Sequence, residues 1–190
     1  MDERLRSPSP ALPPLPPALH VREMVLADCP RVAEIRVRGW QKAYQGMMPQ
    51  AYLDGLDPAD DVGRLRARFE QAGESVVSLV AEWEDDVVGW ACHGPYRDGE
   101  VRTAAAELYA IYVDPGRLAR GVGRALLRES VARCTAAGHG RMLLWVLQEN
   151  ASARRFYEKA GFAPDGAEEP FEVAGVEVPE VRYALVLGGS

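Results

Sequence analysis

The chain has 190 residues, of which 47% are hydrophobic and 26% charged, and this balance predicts one compact domain with a sizeable core. Its formal net charge of −6 argues against a protein that binds nucleic acid, because such proteins neutralise phosphates with a basic face. A negative chain tolerates a cationic ligand better than an anionic polymer.

The cysteines and histidines give no sign of a metal site. The 3 cysteines lie far apart, form no CxxC pair and leave an odd thiol under any pairing, which predicts a reduced, cytoplasmic protein. The histidines lack the spacing of metal ligands, so we expect no metal. These residues are Cys29, Cys92, Cys134, His20, His93 and His139.

The first 18 residues are rich in proline, at Pro8, Pro10, Pro13, Pro14, Pro16 and Pro17. Proline lacks a backbone donor and interrupts helices, so residues 1–18 are predicted to form a disordered or polyproline-like tail. A solvated leader is the simpler interpretation, and a ligand for a proline-binding domain is the alternative. No apolar run has the length of a signal-peptide core or a membrane span. We therefore expect no membrane association and a single domain over residues 19–190.

The next part of the chain alternates between strand and helix patterns. The stretch LHVREMV alternates as a strand does. Val32, Ile35 and Trp40 then follow helical spacing, and Asp28 is placed to cap this first helix. A second helical region is predicted over residues 49–72, with a break near the sequence LDPAD.

The central part of the chain reads as strands around one helix. The stretches SVVSLVAEW and DVVGWACHG are predicted strands joined by a tight turn at residues 84–86. Segments 108–113 and 141–147 are almost continuously apolar, as expected of strands covered on both faces. Between them Gly138 is placed to end a helix whose apolar face carries Leu126, Leu127, Val131 and Cys134. This unit implies a parallel strand pair with a right-handed crossover.

The sequence LARGVGRALL places Gly121 and Gly123 at the start of that helix, after a buried strand. A helix start exposes unpaired amides, and glycine lets an anionic oxygen approach without meeting a Cβ, so a phosphate site is predicted. The alternative is that the glycines only make a turn. Arg124 and Ala125 stand where a Walker A loop needs lysine and serine or threonine, and Leu126 replaces the third glycine of the dinucleotide fingerprint. A nucleoside triphosphatase and a nicotinamide enzyme are therefore disfavoured.

The last helix, in NASARRFYEKAGF, has one inward face. Tyr157 is predicted to point inward, Asn150 suits the N-cap and Gly161 the helix end. The residues at the inward spacing are Ala153, Phe156, Tyr157 and Ala160.

Residues 107–162 resemble the conserved core of the GNAT superfamily of N-acetyltransferases. The stretch ELYAIYVDPGRLARGVGRALLRESV, followed by VLQENASARRFYEKAGF, contains the glycine loop, the asparagine and the Phe-Tyr helix in the usual order. The segment GWQKAYQGMMPQAYLDGL resembles the connection between the first two helices of many bacterial members, and PEVRYAL resembles their last strand.

The resemblance implies an α/β fold with a mixed, mostly antiparallel sheet of about seven strands, splayed between two central parallel strands, with helices on both faces. Acetyl-CoA would enter the splay, its pyrophosphate on the amides of residues 120–124 and its pantetheine arm along the edge of strand 108–113. The family usually has glutamine or arginine where this chain has Leu118, so a side-chain phosphate contact would come from Arg117 or Arg120. The implied cofactor-binding residues are Ile111, Tyr112, Val113, Arg117, Arg120, Gly121, Val122, Gly123, Arg124 and Asn150.

Acetyl transfer to an amine needs help with protons, because an ammonium group with a pKa near 10.4 is only about 0.1% neutral at pH 7.4. Glu107 matches the position of a family general base, although a glutamate is ordinarily too weak a base to take that proton without a water relay or a less polar environment. A polar residue at the start of a strand is the alternative interpretation. Tyr157 matches the family's general acid, which protonates the departing CoA thiolate, and inward packing alone is the alternative.

The resemblance implies a primary amine of a small molecule or peptide as the acceptor. Trp40, Tyr44, Tyr52 and the loop of residues 93–99 are candidates to line its pocket, although aromatic residues at helical spacing are more often core. The hairpin region FEVAGVEVPEVRYAL is a candidate to border the acceptor. Two classes of function remain: an acetyl-CoA-dependent N-acetyltransferase, and a non-catalytic acyl-CoA-binding regulator on the same fold. The presence of both Glu107 and Tyr157 favours the enzyme. A homodimer is left open as an assembly.

Overall fold

The computed structural model describes residues 19–98 and 101–188, whose seven strands form one sheet. The proline-rich segment 1–18 lies outside the described residues, so the division into tail and domain stays a prediction. The strands are β1 (Leu19–Glu23), β2 (Val77–Trp83), β3 (Asp86–Asp98), β4 (Val101–Val113), β5 (Arg141–Leu147), β6 (Ala163–Val173) and β7 (Val176–Val186). The helices are α1 (Cys29–Ala43), α2 (Gln50–Asp54), α3 (Pro58–Gln71), α4 (Val122–Ala136) and α5 (Ala151–Lys159).

The sheet is mixed and mostly antiparallel. Its strand order is β1-β2-β3-β4-β5-β7-β6, and the pair β4 and β5 is parallel while the other neighbouring pairs are antiparallel. This confirms the predicted fold class, with two parallel strands in the centre of the sheet. The predicted turn between β2 and β3 is also present, and Glu84 and Asp85 adopt positive φ angles there.

The two central parallel strands separate soon after they meet. They are in register only at Ala106↔Met142 and Glu107↔Leu143. After this point β4 stays paired with β3, across a register shift between Leu108 and Ala110, and β5 stays in register with β7. Because each strand follows its outer neighbour, the edge of β4 that comes after Glu107 faces a gap instead of a strand.

Helices cover both faces of the sheet, as predicted. Leu79 of β2 packs in the core that includes α4 and α5, whereas Val80, the next residue, packs in the core formed with α1 and α3. Successive residues of a strand point to opposite faces, so the two cores lie on opposite sides of the sheet. Within residues 19–98 and 101–188, no helix combines the length and the apolarity that a membrane crossing needs.

The predicted start of the central strand is wrong. β4 begins at Val101 and pairs with a β3 that extends to Asp98, so Glu107 lies in the middle of a strand and is buried. The sequence did not predict the full length of the β3–β4 hairpin. Small and polar residues and two register shifts interrupt the alternation of apolar side chains there.

Two helix details also differ from the predictions. Asp28 occupies the N-cap position of α1, but its carboxylate accepts hydrogen bonds from both terminal nitrogens of Arg22, at 2.7 and 2.9 Å, and not from the helix. A bidentate charged pair is stronger than a single cap bond. Ala160 is exposed instead of inward-facing because α5 ends one residue earlier.

Gly89 of β3 sets how closely α4 approaches the sheet. A Cβ at this position would lie 2.8 Å from Val122 Cγ1 and 2.9 Å from Leu126 Cδ1. We expect Gly89→Ala to lower the free energy of unfolding by about 1–3 kcal/mol, because a close-packed interface must open to admit the methyl group.

Gly63→Ala is the matched control, because a Cβ in that exposed position of α3 would meet no atom within 4 Å. It should raise the free energy of unfolding by about 0.5–1 kcal/mol, since alanine loses less conformational entropy in a helix. Urea denaturation measures both changes. A Gly89→Ala protein as stable as the parent would contradict this close packing of α4.

Candidate active site

The predicted anion site is the turn between β4 and α4. Gly121, the N-cap of α4, has a φ of 88° and a ψ of −3°, in the left-handed region that glycine adopts without strain. The carboxylate of Asp114 fixes the start of the turn by accepting hydrogen bonds from the Gly116 N–H at 2.8 Å and from Arg31 at 2.5 Å. The first turn of α4, beginning at Val122, therefore presents backbone amides and the positive end of the helix dipole at the carboxyl end of β4.

Two arginines of the turn lie against an indole that the sequence analysis missed. The guanidinium carbons of Arg117 and Arg120 lie 5.3 and 6.0 Å from the ring centroid of Trp83, the last residue of β2. Cation–π attraction keeps both charges beside the turn. Leu118, between them, is 50% exposed. No sequence motif marks Trp83, because only the fold brings the end of β2 to this turn.

The helix α5 presents Tyr157 as predicted. Asn150 caps the helix by accepting a hydrogen bond from the Ala153 N–H at 3.0 Å, and the helix ends at Gly161, which has a φ of 93°. Tyr157 is only 8% exposed, and its ring packs against Phe162 at a centroid distance of 6.0 Å. Burial, followed by the neighbouring Tyr112, raises the pKa of the Tyr157 phenol.

The Tyr157 side chain reaches a cavity of about 520 Å³ that lies beside the gap between β4 and β5. Among the described residues, its hydroxyl makes no hydrogen bond. The ring is buried, but the hydroxyl oxygen itself is accessible from the cavity, so a ligand or water there can bind to it.

The cavity brings together part of the predicted site. The predicted residues that line it are Trp40, Tyr44, Glu107, Ile111, Tyr112 and Tyr157. The remaining predicted residues are Val113 at the end of β4, Arg117, Arg120, Gly121, Val122, Gly123 and Arg124 at the glycine turn, and Asn150 at the start of α5. The first set faces the cavity and the second set surrounds the ends of the elements that flank the gap.

Trp40 and Tyr44 pack in a hydrophobic core and also line the cavity. Their rings are 5.1 Å apart and edge to face, and they pack against the core formed by α1, α2 and the β6–β7 hairpin. The Tyr44 hydroxyl also lies 3.3 Å from that of Tyr112. A second cavity of about 660 Å³ shares Trp40 and Phe171 with the first and extends between α1 and α3.

Glu107 is held by one arginine. Its carboxylate accepts hydrogen bonds from three nitrogens of Arg97: the backbone N at 3.1 Å, Nε at 3.2 Å and Nη2 at 2.8 Å. The same guanidinium lies 4.1 Å from the ring centroid of Tyr109. Glu107 is 4% exposed, so this ion pair is the means by which a buried carboxylate is neutralised.

Glu180 of β7 also lines the cavity; the sequence predicted that its hairpin borders the acceptor but did not single out this residue. Its neighbours across the sheet are Leu147 of β5 and Glu169 of β6. Burial, followed by the negative charges of Glu169 and Glu107, raises the pKa of Glu180 to about 7. A glutamate in a final strand carries no sequence signal, because only the strand register decides that it faces this cavity.

Comparisons with known proteins agree with this arrangement. Residues 37–162 match the sequence model of the Acetyltransferase (GNAT) family. The uncharacterized N-acetyltransferase YuaI of Bacillus subtilis is 33% identical over 162 residues, which is 85% of this chain and 89% of that protein.

Two solved structures share the fold. The PaiA N-acetyltransferase of Thermoplasma acidophilum, in complex with coenzyme A, superposes with a TM-score of 0.67 at 17% identity, over 88% of this chain and 98% of that chain. YncA of Salmonella typhimurium, with its cofactor acetyl-CoA, superposes with a TM-score of 0.68 at 22% identity, over 90% of this chain and 95% of that chain.

The Arg97–Glu107 pair gives a stability prediction. Arg97→Met removes the cation and leaves a buried carboxylate, so we expect the free energy of unfolding to fall by about 1–3 kcal/mol. Arg38→Met is the matched control, because Arg38 also binds a carboxylate at 2.8 Å and has a similar exposure, 56% against 54%. The partner of Arg38 is Glu34, which is 32% exposed, whereas Glu107 is 6% exposed by side chain.

The control should change the free energy of unfolding by less than about 0.5 kcal/mol, because Glu34 keeps its ion pair with Arg31 at 2.8 Å and water replaces Arg38. Chemical denaturation of both variants supplies the measurement. Equal losses would show that the burial of Glu107 does not govern the strength of its ion pair.

Proposed function

Because the chain belongs to the acetyltransferase (GNAT) family, we propose that it transfers the acetyl group of acetyl-CoA to a primary amine of a small molecule or peptide. The family match and the related N-acetyltransferases show that the chain is an acetyltransferase enzyme. This disfavours the alternative of a non-catalytic acyl-CoA-binding regulator. The co-substrate is inferred from the two neighbours that hold coenzyme A or acetyl-CoA. The observation that carries the proposal is the Tyr157 hydroxyl, which has no partner among the described residues and opens onto the cavity beside the β4–β5 gap.

The backbone amides and side chains around the β4–β5 gap are suited to binding a CoA thioester. The pyrophosphate would lie on the amides of residues 120–124, where a glycine N-cap and a helix dipole favour an anion. Arg117 and Arg120 would supply positive charge beside it. The pantetheine arm would hydrogen-bond along the open edge of β4 at residues 111–113, as an added strand does. Asn150, at the start of α5, would border the cofactor from the β5 side.

Tyr157 would act as the general acid. Direct attack of the amine nitrogen on the thioester carbonyl forms the C–N bond, and collapse of the intermediate breaks the C–S bond and releases a thiolate. The raised pKa of Tyr157 keeps its proton in place at neutral pH. The departing thiolate forms in the same apolar surroundings, which raise its proton affinity as well. The phenol can therefore protonate sulfur as the bond breaks.

The acceptor would enter between Trp40, Tyr44 and the β6–β7 hairpin. Aromatic rings offer apolar contact and a favourable face for a cation, which suits an ammonium group before it loses its proton. Two carboxylates of the cavity, Glu107 and Glu180, are candidates to receive that proton. Glu107 is the candidate expected from the sequence, and a water molecule would have to relay the proton to it past Arg97.

The reaction is tested by measuring thiol release from acetyl-CoA in the presence of n-butylamine, benzylamine or glycinamide. The Tyr157→Phe substitution tests the proposed role of Tyr157 as general acid. General-acid assistance is typically worth 10²- to 10⁴-fold, so we expect Tyr157→Phe to slow the single-turnover rate by about that factor. Its stability should change little, because the hydroxyl has no partner to lose among the described residues.

Tyr183→Phe is the crossed control. This fully buried hydroxyl donates to Glu158 at 2.8 Å and accepts from Arg154 at 2.9 Å, so its removal should lower stability by about 1–3 kcal/mol and leave the chemical step intact. A full single-turnover rate in Tyr157→Phe would rule out the acid role. No thiol release with any amine would count against the amine acceptor.

A further inference from the structure

Two carboxylates line the cavity beside Tyr157, and their surroundings differ. Glu107 and Glu180 both face the space that an acceptor would occupy. An acceptor ammonium must give up a proton before its nitrogen can attack, so the proposed function requires a group that takes this proton. The contacts of the two side chains decide between them.

The Glu107 carboxylate is already hydrogen-bonded to Arg97. The three hydrogen bonds from Arg97 reach both oxygens of the carboxylate, and Glu107 is 4% exposed. Protonation would break at least one of these charge-assisted bonds and leave the guanidinium without its counter-charge. A carboxylate held in this way is better suited to keeping Arg97 in place than to cycling a proton.

Glu180 has a free carboxylate among the described residues. It makes no hydrogen bond or ion pair there, and it is half-buried on the β7 strand. In the sheet it lies directly opposite Glu169 of β6, and like charges directly opposite each other are unfavourable. A proton or an ammonium ion at Glu180 relieves this repulsion.

Burial and the charges of Glu169 and Glu107 favour proton uptake by Glu180. Arg97 is bound to Glu107, so the described residues of the cavity offer no second cation to Glu180. Three phenols of the cavity, Tyr44, Tyr112 and Tyr157, stay neutral because burial raises their pKa values. The groups that face Glu180 from the packed elements are Tyr44, Arg97, Glu107, Tyr109, Tyr112, Tyr157 and Glu169.

We infer that Glu180 is the general base that accepts the proton of the acceptor ammonium, and that Glu107 is a positioning residue that holds Arg97. The inference rests on the proposed function and assigns a proton acceptor to it. The first proton passes from nitrogen to Glu180 and then to solvent. The nitrogen lone pair forms the C–N bond, the C–S bond breaks, and Tyr157 protonates the thiolate. The second nitrogen proton restores the Tyr157 phenol.

The energetics favour Glu180 over an ordinary carboxylate. A glutamate with the usual pKa near 4.3 lies about six units below an alkyl ammonium. The pKa of Glu180, about 7, reduces that difference and makes the proton transfer more favourable by about 10²- to 10³-fold. General-base catalysis is also most efficient when the pKa of the base lies near the working pH.

The pH dependence of kcat/KM separates the two carboxylates. In the parent, kcat/KM with the best amine of the three should rise with pH and level off above about 7, the pH at which Glu180 loses its proton. Glu180→Gln should lower kcat/KM at neutral pH by about 10²- to 10⁴-fold and remove this plateau, so that the rate follows the neutral amine alone.

Glu169→Gln is the matched control, with the same change on the opposite residue of β6. It removes a charge that raises the pKa of Glu180, so the acid limb should move to lower pH while the plateau keeps its order of magnitude. Glu107→Gln should likewise retain a plateau. A Glu180→Gln enzyme that keeps the parent profile, or a Glu107→Gln enzyme that loses it, would overturn the assignment.

A titration without acceptor tests the same residue independently of turnover. In the NMR spectrum of protein labelled with ¹³C at the glutamate carboxyl groups, the Glu180 signal is the one that is absent from the spectrum of the Glu180→Gln variant. This signal should titrate near pH 7. Titration of that signal near the usual 4.3 would contradict the inference. If the parent acetylates none of the amines, the proposed acceptor class fails, while this measurement still decides the proton affinity of Glu180.

Discussion

The separation of β4 from β5 is the feature on which the rest of the site depends. The two strands share only two positions in register, after which each follows its outer neighbour. A continuous sheet would satisfy the edge of β4 with another strand. The gap instead leaves backbone groups of β4 open in the middle of the molecule, next to the turn at Gly121 and the side chain of Tyr157. Unsatisfied backbone groups at such a place favour a bound extended ligand.

Charge is distributed unevenly around this gap. At the carboxyl end of β4 the helix dipole and two arginines favour an anion, whereas the cavity beside Tyr157 contains three carboxylates and one arginine. Glu107 and Arg97 neutralise each other, which leaves Glu169 and Glu180 without a counter-charge in the cavity lining. The two ends of the site are therefore suited to opposite charges, a phosphate at one end and an ammonium at the other.

Local sequence patterns predicted most of the elements and one side of the site. The apolar runs of β4 and β5, the glycine turn and the inward Tyr157 depend on periodicity and short spacing, which the sequence displays directly. Trp83 was missed, and Glu180 was not singled out within its hairpin, because their positions follow from strand register over a long chain separation. The Arg97 contact to Glu107 was missed for a related reason, since both strands were expected to be shorter. The assignments of individual site residues stay predictions.

Hydrogen exchange along β4 tests most directly whether the gap is the acetyl-CoA site. At saturating acetyl-CoA, peptides that cover residues 108–124 should exchange more slowly, because the pantetheine arm and the pyrophosphate would occupy amides of the β4 edge and the glycine turn. Peptides within β2, which is paired on both sides, should be unchanged. Acetyl-CoA binding with no protection of residues 108–124 would contradict the account, because the cofactor would then lie outside the gap.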